Sequence, residues 1–96
     1  MGGKNGRNSY KFRITLKNKL GLHARPASIF VETTKKFKSK ISLIKNGKAV
    51  DAKSIIGVLS LGVSQGDEIE VICEGEDAKE TTETLKNLIE RLGEFQ

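Results

Sequence analysis

Tyr10, Phe12, Ile14 and Leu16 alternate with Lys11, Arg13 and Thr15, and later Ile69, Val71 and Cys73 alternate with Glu68, Glu70 and Glu74. An apolar side chain at every second position is the period of a strand with one face buried and the other in water. Between these segments lies KISLIKNGKAVDA, in which Asn46-Gly47 separates two short runs. Both residues tolerate positive φ, so the pair is a strong hairpin signal and predicts two antiparallel strands.

The stretches between the strands have a different period. After Gly21 breaks the first alternation, Ala27, Phe30, Val31 and Thr34 recur three and four residues apart, with Pro26 in a first turn that needs no N–H from it. SIIGVLSLG reads as one short helix, with Ser54 as its N-cap and Gly62 at its end. Asp77 with Glu80 three residues on forms a capping-box-like start to a last helix, whose stripe of Ala78, Leu85, Leu88, Ile89 and Leu92 ends near Gly93. The order β-α-β-β-α-β-α predicts an α+β fold, one four-stranded antiparallel sheet with three helices on one face and solvent on the other.

Ninety-six residues suffice for one domain and leave little room for a deep enclosed site. The pattern begins at Tyr10, so residues 10–96 form that domain. Residues 1–9, MGGKNGRNS, are Gly-rich and patternless, and read as a disordered N-terminal extension or an expression remnant. No apolar run approaches the roughly 20 residues that cross a bilayer, and the start lacks the apolar stretch of a secretory signal. A cytoplasmic chain without membrane insertion is expected. Cys73 is the one cysteine, with no second thiol for a disulfide, a metal site or a redox pair. Neither a metal nor a cofactor is expected. The formal charge of +5 raises the question of nucleic acid, but Lys4 and Arg7 lie in the opening segment. The other bases are mixed with acids and have no interleaved aromatics, which favours a solvated mixed surface over direct nucleic-acid binding.

His23 is the one histidine, at a strand-to-helix junction in GLHARPAS. A helix start leaves its first N–H groups unpaired and carries partial positive charge, so it is a ready anion site. The same charge disfavours the imidazolium and favours a neutral, nucleophilic ring. A phosphoryl group on that ring would find the backbone donors of Ala24 and Arg25, and the Arg25 guanidinium supplies a planar fork suited to phosphate. Position alone favours an ordinary surface histidine. No acid or second histidine stands nearby to build a hydrolytic dyad, and a solitary nucleophile fits transfer of an already activated group better than hydrolysis.

Ser54 is in any case a helix cap. A phosphate there would place about −1.5 to −2 charges at a helix start, tolerated by the fold yet able to repel or recruit a partner. Ile55, Ile56 and Leu59 lie on or beside that short helix, and either fill the core or form a docking patch.

GLHARPAS followed by NGKAVDAKSIIGVLSLG resembles the histidine-containing phosphocarrier (HPr) family of the phosphoenolpyruvate-dependent sugar phosphotransferase system, over Tyr10 to Leu92. The resemblance implies an open-faced β-sandwich, agreeing with the element order above. It implies that His23 is phosphorylated on Nδ1 with help from Arg25, that Enzyme I is the donor, and that sugar-specific IIA domains are the acceptors. Such a protein is a phosphoryl carrier and not a stand-alone enzyme. KSIIGVLSLG is similar to the Gram-positive type, in which a serine at the place of Ser54 is phosphorylated by an ATP-dependent HPr kinase/phosphorylase. That modification slows charging and makes the protein a corepressor of a catabolite control transcription factor. Ile56 and Leu59 stand where methionines are common in the family, and Leu20 where a small hydroxyl residue is frequent. The alternative to a carrier is a purely regulatory binding module; the regulatory paralogue of the family lacks the histidine, so His23 favours the carrier.

Overall fold

The computed structural model describes residues 8–92. Seven elements follow in order: β1 (Asn8–Thr15), α1 (Ala24–Thr34), β2 (Lys40–Lys45), β3 (Lys48–Asp51), α2 (Ile55–Ser60), β4 (Glu68–Gly75) and α3 (Ala78–Glu90). The strands form one sheet in the order β1-β4-β2-β3, each neighbouring pair antiparallel. This is the α+β, open-faced arrangement that the two periodicities imply.

β4 pairs Val71 with Phe12 on one side and with Leu43 on the other, and Cys73 with Tyr10 and Ile41. The register lines these residues up in rows on the helix-covered face, where Ile41, Leu43, Ile69, Val71 and Cys73 are buried. Arg13 and Glu70 pair on the opposite face, and Lys11 also reaches Glu70. These exposed ion pairs, at 3.5 and 3.6 Å, contribute at most about 1 kcal/mol each. The hairpin turns on Asn46 and Gly47, both at positive φ (51° and 80°), the conformation expected of a two-residue turn between β2 and β3.

β1 departs from expectation in two respects. Asn8 and Ser9, assigned to the extension by their lack of pattern, pair with Gly75 and Glu74 in the ladder, because backbone hydrogen bonds ask nothing of the side chains. Residues 1–7 lie outside the described residues. The apolar face of β1 is also only partly covered: Tyr10 is exposed and Phe12 and Ile14 are half-buried, whereas Leu16 is fully buried. β1 is an edge strand, so half of its surroundings is absent by construction of the sheet.

α1 buries Pro26, Ala27, Phe30, Val31 and Thr34 on the face that its spacing marks. The Thr34 hydroxyl lies 2.7 Å from the Val31 carbonyl and 2.9 Å from that of Ala52, tying α1 to the turn before α2. Ser54 caps α2 as expected, its Oγ accepting the Gly57 N–H at 3.1 Å. α3 buries Ala78, Leu85 and Ile89, with Leu92 buried just beyond its end and Leu88 packed at the margin.

The capping box at Asp77 does not form. Asp77 is the N-cap residue of α3, but its carboxylate makes no cap hydrogen bond. It accepts the N–H groups of Lys38 (2.8 Å) and Ser39 (2.9 Å) and the Ser39 hydroxyl, clamping the segment that leads into β2. Those two N–H groups precede a strand and have no ladder partner, so they compete for the carboxylate and win. The Ser39 hydroxyl first, and the backbone donors after it, lower the Asp77 carboxyl from 3.8 to about 2.

The loop from β1 to α1 positions the histidine. Gly21 N–H donates to the Asn18 carbonyl (3.2 Å), His23 N–H to that of Leu20 (3.1 Å) and Leu22 N–H to that of Val63 (2.9 Å). The Asn18 side-chain amide donates to the Gly21 carbonyl at 2.8 Å. Gly21 has φ +55°, and a Cβ there would lie 2.4 Å from the Val63 oxygen and 2.7 Å from Ser64 Cα.

Two outcomes follow from these contacts. Gly21→Ala combines a left-handed conformation costing about 1–2 kcal/mol with a backbone clash of similar size, so its urea midpoint should fall by the equivalent of about 2–4 kcal/mol. A midpoint within error of the parent would show that the loop yields freely. Because the Asp77 pKa is lower in the folded chain, its contribution is fully present above about pH 4 and disappears as pH falls towards 2. Denaturation midpoints of the parent should drop across that window more steeply than those of Asp77→Asn, and parallel curves would contradict the clamp.

Candidate functional site

His23 is the N-cap residue of α1, with extended backbone (φ −88°, ψ −168°) and no hydrogen bond from its side chain to the helix. Its carbonyl accepts the Ala27 N–H at 2.8 Å, so its backbone begins the helix while its ring is left outside. His23, Ala24 and Arg25 are all exposed, and Pro26 beneath them is buried. No acidic residue lies in the first turn. The N–H groups of Ala24 and Arg25 meet no backbone carbonyl among the described residues, and Pro26 has none to offer. Arg25 makes no ion pair among the described residues. An exposed imidazole, two backbone donors and a guanidinium therefore share one helix start, a set able to hold a tetrahedral anion beside the ring.

α2 presents the second part of the surface. Val58 and Leu61 fill the core, whereas Ile56 is 78% exposed, Leu59 42% and Ile55 37%. Of the two places that the sequence leaves open, none of the three is in the core: they lie exposed as an apolar strip on a short helix. Leu20, on the loop leading to His23, adds a fourth exposed apolar side chain at 40%.

α1 and α2 pack against each other, and the Gly21–Leu22 backbone rests on Val63, just past the end of α2. Ser54 lies at the other end of that helix, whose six residues span about 9 Å. No hydrogen bond links Ser54 to His23 or Arg25 among those described; its hydroxyl is engaged in the cap.

Local sequence reading missed what holds this surface in place. Lys45, at the end of β2, donates to the Gly62 carbonyl (2.9 Å) and lies 2.9 Å from the Asp67 carboxylate and 3.4 Å from the Leu61 carbonyl. A cation on the last carbonyls of a helix also opposes their partial negative charge. Asp67 accepts the Ser64 N–H at 2.8 Å as well, and Lys45 with that bond holds its carboxyl below the usual range. The cue was an ordinary lysine beside a hairpin, which carries no sign of its partner 17 residues on.

The Cys73 thiol is buried, and burial pushes its pKa up, the opposite of an activated nucleophile. Among the described residues no group of three His, Cys, Asp or Glu side chains could hold a metal ion, and no helix is long and apolar enough to cross a membrane.

Known proteins resemble this chain in sequence and fold. A family model described as the PTS HPr component phosphorylation site matches residues 10–91. The HPr-like protein Crh of Bacillus subtilis (strain 168) is 47% identical over 73 residues, which cover 76% of this chain and 86% of Crh. The phosphocarrier protein HPr of Buchnera aphidicola (subsp. Acyrthosiphon pisum, strain APS) is 49% identical over 72 residues, 75% of this chain and 85% of its own. The crystal structure of HPr-C-His from Thermoanaerobacter tengcongensis superposes with a TM-score of 0.87 at 47% identity, over 91% of this chain and 98% of that one. With sequence and fold in agreement over nearly all the described residues, the chain belongs to the HPr phosphocarrier family of the phosphotransferase system.

Proposed function

We propose that His23 accepts a phosphoryl group from phosphorylated Enzyme I on Nδ1 and passes it to sugar-specific IIA domains. The observation that carries this reading is the exposed, uncapped imidazole of His23 beside the N–H groups of Ala24 and Arg25, which meet no backbone carbonyl among the described residues. In each transfer one N–P bond forms at the ring as the bond from phosphorus to the donor breaks, and the reverse occurs on delivery. The backbone donors and the Arg25 guanidinium hold the equatorial oxygens while charge spreads over them. Water is not activated, because no general base stands beside the ring in any hydrogen bond or ion pair described. An exposed nucleophile suits a carrier whose donor and acceptor are both proteins, since each must bring its own site to the ring.

Ile55, Ile56 and Leu59 form the docking strip for Enzyme I and the IIA domains in this reading. Ser54, at the head of the same helix, is the site of regulatory phosphorylation by an HPr kinase/phosphorylase, with corepression of a catabolite control transcription factor as the output of the modified form. The likeness to Crh favours this regulatory side of the reading, and His23 with Arg25 keeps the carrier role beside it. The protein works in the cytoplasm, where Enzyme I is charged from phosphoenolpyruvate.

With phosphoenolpyruvate and Enzyme I, His23→Ala should fold normally and take up no acid-labile phosphate, because the ring contributes nothing to the core. Arg25→Ala should be charged about 10- to 100-fold more slowly in single-turnover assays, having lost a positioning and neutralising group. Uptake by the alanine variant at His23, or an unchanged rate for Arg25→Ala, would remove that residue from the mechanism. Ser54→Asp keeps a cap acceptor and adds a charge beside the docking strip, so its stability should change little while charging of His23 slows through weaker binding of Enzyme I. Ser54→Ala loses about 1 kcal/mol of cap stability yet should be charged at nearly the parent rate. Equal rates for aspartate, alanine and parent would leave Ser54 a helix cap only.

A further inference from the structure

We propose that Asn18 is a positioning residue for phosphoryl transfer: its side-chain amide, by donating to the Gly21 carbonyl, fixes the loop that aims His23 at the start of α1. This inference rests on the carrier reading of His23 and assigns a residue outside the helix start to that reaction.

The histidine ring is not held by the helix itself, since His23 makes no side-chain cap hydrogen bond. Its direction is therefore set by the backbone that precedes it. That backbone is pinned on one side by Leu22, whose side chain is fully buried and whose N–H donates to Val63. On the other side the Gly21 carbonyl belongs to a buried residue pressed against Val63 and Ser64, where a Cβ has no room. A buried carbonyl without a donor costs about 1–3 kcal/mol, so the peptide plane would turn to find one if none were supplied. Turning that plane changes ψ of Gly21 and φ of Leu22, two and one residues before the nucleophile. Asn18 supplies the donor at 2.8 Å, and among the hydrogen bonds described it is the side chain that reaches Gly21.

The other half of the amide sharpens the assignment. Asn18 is 7% exposed, and its Oδ1 is buried with no hydrogen-bond partner among the described residues. The site thus uses Asn18 as a donor and leaves its acceptor idle. Flipping the amide would put Oδ1 against the Gly21 carbonyl and lose the bond, so one orientation is selected. Aspartate has nearly the same shape but, when ionised, has no donor.

Phosphoryl transfer depends on where the ring stands relative to the Ala24 and Arg25 donors, and a misplacement of about 1 Å costs up to about 100-fold in rate. Docking rests in this reading on Ile55, Ile56 and Leu59 of α2, with which Asn18 makes no hydrogen bond among those described. The two quantities should separate. Asn18→Asp and Asn18→Ala are each charged from phosphorylated Enzyme I in single turnover across a range of Enzyme I concentrations. Their folding is checked by circular dichroism, and amide hydrogen exchange is read at Gly21, Leu22 and His23. The expected result is a limiting rate at saturating Enzyme I lowered about 10- to 100-fold, an apparent affinity for Enzyme I within about twofold of the parent, and faster exchange confined to the loop. If the aspartate variant does not fold, the alanine variant, which introduces no charge, is judged by the same readings. A parent-like limiting rate in a folded variant overturns the proposal while leaving the carrier reading intact. A loss seen only in affinity overturns it too, since that is a docking effect. If the parent itself takes no phosphate on His23, the carrier reading fails, and this inference falls with it.

Discussion

Between Gly21 and Val63 there is no space for a side chain: a Cβ on Gly21 would stand 2.4 Å from the Val63 carbonyl oxygen. That contact joins the two halves of the functional surface. On one side of it the chain runs through Leu22 into His23 and α1; on the other, α2 ends and the segment towards β4 begins. Leu22 N–H donating to Val63 seals the joint, and both Leu22 and Val63 are fully buried beneath it. The surroundings then serve to keep each half still. Lys45 gathers the carbonyls at the end of α2 together with Asp67, Asn18 closes the loop before the histidine, and Thr34 ties α1 to the turn from which α2 starts. The sheet supplies the floor: Leu43, Val71 and Ile69 are buried under the helices while the opposite face carries the charges.

How much of this is legible in the chain depends on the distance over which each feature is decided. The strands are visible because a two-residue period needs only adjacent residues to express it, and Asn46-Gly47 announces its turn through the φ values that each residue tolerates. The cap at Ser54 is equally local, its acceptor three residues from its donor. Asp77 is the contrary case. Its neighbours make it look like a capping-box residue, yet its partners are Lys38 and Ser39, brought to it only when β2 and β4 pair. Lys45 and Asn18 are hidden for a related reason, since a lysine after a strand and an asparagine in a loop are ordinary until the tertiary acceptor is known. Edge effects also escape a local pattern: Tyr10 has the alternation of a buried residue and is exposed because β1 has one neighbour only.

The candidate site divides along the same line. The unique histidine, the arginine two residues on and the helix start between them can be read directly, as can the motif that carries the family resemblance. What the short helix does with Ile55, Ile56 and Leu59 cannot, because six residues of nearly uniform apolar character do not say which side meets the core. The structure answers by turning Val58 inward and leaving the other three out. Exposure of that kind is costly to a free monomer unless a partner covers it, and it adjoins the helix whose end supports the histidine loop. A nucleophile on the surface and an apolar strip near it are what the proposed carrier role asks for, since each partner protein would bring the rest of the site to them.

The carrier role requires that phosphate be held at His23. Phosphorus NMR of the chain after incubation with Enzyme I and phosphoenolpyruvate reads this directly, with the spectrum repeated after brief mild acid. The arrangement at His23 predicts a single phosphoramidate resonance, shifts in the backbone amides of Ala24 and Arg25, and loss of both on acidification. No bound phosphate, or an acid-stable phosphate ester with the Ala24 and Arg25 amides undisturbed, would contradict it.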